Sequence, residues 1–218
     1  MKTSIVMAVS LALFGSSAQA KDPKLKDPAA GKTTFTVYDA FMSPQQQSGE
    51  ETDAPKAVQK AVGLESSAPA TPREQRKSSG YGQIRFARDL SSAFVDVQIE
   101  GVNPADILMF HIHCGPPGVL GPIVVDFSEF GNLSKALSAG SLSVEIKNKN
   151  LTFITDMPRG LKPALREGCP VELGFPTKVV TVAGLEYLAR KGVLYFNLHT
   201  KAHTFYGEMR GQIYPAKE

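Results

Sequence analysis

The chain predicts an all-β fold, a sandwich or barrel of short antiparallel strands. Two observations point there. Apolar and polar residues alternate through several short runs, as in Ala93-Phe94-Val95-Asp96-Val97-Gln98-Ile99-Glu100, and clusters of Gly and Pro separate the runs. Alternation buries one face of a strand and wets the other, because successive side chains of an extended chain point to opposite sides.

Met1 to Ala20 reads as a secretory signal peptide. Lys2 supplies the positive start, Ser4 to Gly15 an apolar run too short to span a bilayer, and Ala18-Gln19-Ala20 the small-x-small cleavage pattern. Cleavage after Ala20 leaves a protein exported to a periplasm or to the medium. No cysteine follows the cleavage point to carry a lipid, and no later stretch is apolar enough to be a transmembrane helix. The remaining length suits one domain, preceded by a polar segment over 21–32 and spanning 33–215. The formal charge of +3, of which Lys2 is lost with the leader, is too small to argue for nucleic acid or an anionic membrane.

Thr33-Thr34-Phe35-Thr36-Val37-Tyr38 makes a first strand from its β-branched and aromatic content. From Pro44 to Gly80 large apolar residues are scarce and charge is dense. Such a segment buries too little apolar surface to offset its ordering entropy, so a flexible insertion is expected over about 44–80, with a short helix between Pro55 and Glu65. Gly82 to Arg88 and Ala93 to Glu100 form a hairpin, and Ile107 to His113, Gly121 to Phe127 and Leu142 to Ile154 follow as strands. Pro158 to Gly184 reads as loop, with Val179 to Val182 pairing briefly. Leu185 to Lys191 gives two helical turns stopped by Gly192, then strands run over Val193 to His199 and Tyr206 to Tyr214. The core face of the penultimate strand is Leu194, Phe196 and Leu198, which places His199 opposite it.

The chemistry-bearing residues fall in two windows. Ile107 to Val125 reads ILMFHIHCGPPGVLGPIVV, and Gly192 to Tyr214 reads GVLYFNLHTKAHTFYGEMRGQIY; together they hold all four histidines of the chain. Along the first strand Met109, His111 and His113 share one face and Leu108, Phe110 and Ile112 the other. Imidazoles two residues apart on one face lie about 6 to 7 Å apart at the backbone, a spacing that can grip one metal ion. Gly115-Pro116-Pro117-Gly118 is a rigid turn.

These residues resemble the chordin-type, or CHRD, domain. The family pattern is an A-H-I-H-x-G segment followed by G-P-V-V, a G-x-x-Y-x-N-x-H-T strand and a G-E-I-R-G-Q ending. His111, His113, Gly121, Pro122, Tyr195, Asn197, His199, Thr200, Gly207, Glu208, Arg210, Gly211 and Gln212 stand at those motif positions. Phe110 departs from the usual small residue, and the insertions at 44–80 and 128–180 are long. The resemblance implies an immunoglobulin-like antiparallel β-sandwich or barrel with long loop insertions and one or two short helices, of a kind found in a vertebrate growth-factor antagonist and in exported microbial proteins.

If the last hairpin lies beside the His111 strand, His111, His113 and His199 form a three-imidazole site, with His203 or Met109 as a fourth ligand. Imidazoles with a thioether suit copper, with zinc second, better than calcium or magnesium. The H-x-H strand also resembles, more distantly, the copper strand of exported copper/zinc superoxide dismutases, although that family's zinc-loop histidines have no counterpart here. The alternative is a non-catalytic envelope or extracellular module that recognises a protein or carbohydrate, with the histidines as hydrogen-bonded structural groups. Glu208 and Arg210 share a strand face and are candidates for an ion pair or a ligand anchor. No Gly-x-Ser-x-Gly elbow, phosphate loop or His-Glu-x-x-His helix is present, and Asp126 and Glu129 read as ordinary carboxylates after a strand. Cys114 and Cys169, an even pair in an oxidising compartment, predict a disulfide; the rival reading makes Cys114 a metal thiolate beside His113.

Overall fold

The structure, a computed structural model, describes residues 27–151, 169 and 179–217. The expected leader, the strand continuation over 152–154 and most of the expected loop over 158–184 lie outside the described residues. Strands β1 (Phe35–Met42), β2 (Ser79–Ala87) and β3 (Ala93–Glu100) form a meander, with helix α1 (Lys56–Val62) inside the β1–β2 connection. Then come β4 (Ile107–Cys114), β5 (Ile123–Asp126), the one-turn helix α2 (Leu133–Ala136), β6 (Ser141–Ile146), α3 (Val182–Arg190), β7 (Leu194–Thr200), β8 (Met209–Gln212) and the two-residue β9 (Tyr214–Pro215).

The strands make two antiparallel sheets, ordered β6-β3-β2-β1-β9 and β5-β4-β7-β8. The predicted all-β sandwich is therefore the observed architecture. Its core lies between the sheets. Tyr38, Ile84, Phe86, Val95 and Val97 from the first sheet are buried with Phe110, Ile112, Leu194, Phe196 and Leu198 from the second. Phe110 stacks on Phe127 with ring centroids 4.7 Å apart, and Phe196 stacks on both. Leu108, expected on the apolar face of β4, is exposed, because the pairing register of β4 with β7 shifts between Ile107 and Met109 and leaves it unpaired.

Three expectations change. The final strand is split: β8 ends at Gln212, and Tyr214 pairs with Asp39 of β1 in the opposite sheet. Val182 opens α3 and does not pair, since the Thr181 side chain accepts a hydrogen bond from the Gly184 N–H and caps the helix. Most consequential is the segment over 44–80, which packs on the outer side of the second sheet. The Asp53 carboxylate accepts from the Phe205 and Tyr206 N–H groups, and Arg76 donates to the carbonyls of Thr71, Thr52, Gly207 and Glu208. Low apolar content misled the sequence reading because polar side chains bonded to main chain hold the segment down alongside a few buried apolar residues such as Ala54 and Val62.

Candidate metal centre

β4 and β7 are antiparallel neighbours, with Met109 opposite His199, His111 opposite Asn197 and His113 opposite Tyr195. All six project from the face turned away from the core. Ring centroids lie 5.2 Å apart for His111 and His113, 5.4 Å for His111 and His199, and 6.1 Å for His113 and His199. One ring nitrogen of each histidine lies within 4.8 Å of those of the other two, the single grouping of this kind among the described residues. An ion bound at about 2.0–2.1 Å brings imidazole nitrogens to about 3.4 Å of one another, so ring movements of about an ångström would close the site.

Two of the three rings are hydrogen-bonded on one side and bare on the other. His113 donates from Nδ1 to the Gly121 carbonyl at 2.9 Å, and His199 from Nδ1 to the Thr204 carbonyl at 3.0 Å. Their Nε2 atoms are buried without a partner, as is His111 Nδ1. On its remaining nitrogen, Nε2, His111 faces Asp126 Oδ1 at 3.8 Å. Unpaired buried polar atoms are costly, and here three neighbouring rings each carry one. Burial holds the rings neutral. It lowers His111 to about 3, with the neighbouring His199 adding to the effect, and lowers His199 to about 4; His113 is pushed well below the ordinary value by burial and by both other rings. Neutral imidazoles carry the lone pairs a metal needs.

The surrounding motif residues hold this frame. The His113 ring lies flat on Tyr195, and the Arg210 guanidinium sits 3.5 Å from the Tyr195 ring centroid. Arg210 donates to the Pro116 and Val119 carbonyls, and Gln212 to the Gly115 carbonyl, so the Gly-Pro-Pro-Gly turn is clamped to β8. A Cβ on Gly121 would lie 1.6 Å from the Cys114 carbonyl oxygen, which explains glycine at that motif position. Asn197 donates to the Tyr206 carbonyl and accepts from Gln47, joining β7 to the 44–80 segment.

The other candidates stand elsewhere. His203 does not join the cluster: its Nδ1 bonds Glu208 and its Nε2 meets the main chain of Thr71 at 3.0 Å, so both ring nitrogens are engaged. Glu208 and Arg210 do not pair with each other, because Glu208 bonds His203 and Ser78 while Arg210 turns to the Gly-Pro-Pro-Gly turn. Cys114 and Cys169 form the predicted disulfide, which removes Cys114 as a thiolate ligand. The sequence reading missed Thr204 and Asp126. Thr204 contributes only a main-chain oxygen, and Asp126 became visible once β5 paired with β4 and set it opposite His111.

A family model for the CHRD domain matches residues 61–213. The chain belongs to the CHRD domain family. No curated protein and no solved structure matches it. In this CHRD domain the first strand of the sandwich, β1, precedes the matched span and pairs with β2 along its whole length. No helix among the described residues is long and apolar enough to cross a membrane.

Proposed function

We propose that this CHRD-domain protein binds one transition-metal ion, copper in preference to zinc, through His111, His113 and His199 after export to a periplasm or the medium. The observation that carries the reading is the set of three buried, unpartnered ring nitrogens on converging rings, two of which have the opposite nitrogen anchored on a carbonyl. That anchoring fixes the tautomer and aims the free lone pair, as is usual for metal-bound histidines. Three imidazoles suit copper or zinc; a thioether as fourth ligand would favour copper, and Met109, paired opposite His199, is the candidate for it. The Cys114–Cys169 disulfide supports an oxidising compartment.

The test is metal analysis and copper titration of the mature protein against a variant with all three histidines changed to Ala. Stoichiometric copper at sub-micromolar affinity, lost in a folded variant, is expected. A folded parent that takes up neither copper nor zinc refutes the reading. Family membership would then support a binding module with a protein or carbohydrate partner.

A further inference from the structure

The three rings are not held alike. His113 and His199 each give Nδ1–H to a neutral main-chain carbonyl and leave Nε2 free, whereas His111 leaves Nδ1 free and turns Nε2 toward a carboxylate. Resting on the metal-binding reading above, we propose that Asp126 is the positioning carboxylate of the centre. It selects the Nε2–H tautomer of His111, so that the ion meets Nδ1, and sets a negative charge behind a ligand that is otherwise neutral.

The geometry is built for this. Strand pairing sets Asp126 opposite His111 across β4 and β5. Oδ1 of the carboxylate is fixed by the Ser128 N–H at 2.8 Å, at the start of a short 3-10 turn, and lies 3.8 Å from His111 Nε2. That gap is longer than a hydrogen bond and must shorten by about an ångström on metal binding for the carboxylate to hold the Nε2–H. The His111 ring is 3% exposed, so a tautomer choice made there is little disturbed by solvent. A carboxylate bonded to the far nitrogen of a metal-bound imidazole raises its basicity and restricts its rotation, and loss of such a partner typically weakens metal binding 10- to 100-fold.

The test has two parts. Asp126→Asn keeps an oxygen for the Ser128 N–H while removing the charge. Its copper affinity at pH 7 should fall about 10- to 100-fold, with an altered copper electron-paramagnetic-resonance spectrum and an unchanged melting temperature of the metal-free protein. Affinity and spectrum equal to the parent overturn the proposal while leaving the metal site standing; a parent that binds no metal removes both. Independently of any variant, nitrogen-15 resonances of the zinc-loaded parent should show His111 protonated at Nε2 and bound through Nδ1, with His113 and His199 in the opposite tautomer. His111 protonated at Nδ1 overturns it.

Discussion

The His113 imidazole lies flat against the Tyr195 ring, with centroids 5.1 Å apart and planes 10° from parallel, while the Tyr195 hydroxyl accepts from the Gly121 N–H at 3.2 Å. One tyrosine thereby supports the ring of a ligand and the strand start whose carbonyl orients that ring. Tyr195→Phe keeps the stack and drops the hydroxyl bond, so it should cost about 1 kcal/mol of stability with copper affinity changed by less than about threefold. Tyr195→Ala should weaken copper binding by more than that; titration of both variants separates stacking from hydrogen bonding.

Arg210 is among the largest fully buried side chains of the described residues, and its guanidinium serves Ser48, Pro116, Val119 and Gln212 at once. Lysine has neither the planar fork nor the stacking surface. Arg210→Lys should therefore destabilise by about 2 to 4 kcal/mol in denaturant unfolding, from unpaired buried carbonyls and a poorly solvated ammonium.

Acid should weaken the metal-free protein through the histidine cluster. The folded values of His111 and His199, about 3 and about 4, lie below the ordinary 6.5, so protons bind the unfolded chain more readily and favour it. The contribution is whole above about pH 6.5 and declines as pH falls toward the folded values, by about 1 to 2 kcal/mol per histidine between pH 6.5 and 5. Melting temperature against pH should show this slope, and replacing the cluster with Gln should flatten it.

The disulfide closes a loop across a sequence separation of 55, with Cα atoms 5.3 Å apart. Replacing both cysteines with Ser should cost about 4 kcal/mol in the chain-entropy account. Equilibrium unfolding of the oxidised parent against that variant measures it.

His203 should prove to be a clamp. Changing it to Ala leaves Glu208 short of a partner and frees Thr71, so about 1 to 3 kcal/mol should be lost, with faster proteolysis within 44–80. Copper stoichiometry should stay at that of the parent.

Periodicity alone determined much of this protein. Alternation placed Phe110, Ile112, Leu194, Phe196 and Leu198 in the core, and the same period put His111, His113 and His199 on the reverse faces, because a strand side chain has only two directions to choose from. The CHRD motifs were equally legible, being short and local. What the tertiary structure decided was everything that depends on which strands become neighbours. Pairing of β4 with β7 joined histidines some ninety residues apart, and pairing of β4 with β5 set Asp126 opposite His111. The covering of that polar face by residues 44–80 was likewise out of reach. It rests on side chains such as Asp53 and Arg76 finding main-chain partners in the loop after β7, and hydrogen-bond partners distant in the chain leave no period in the sequence.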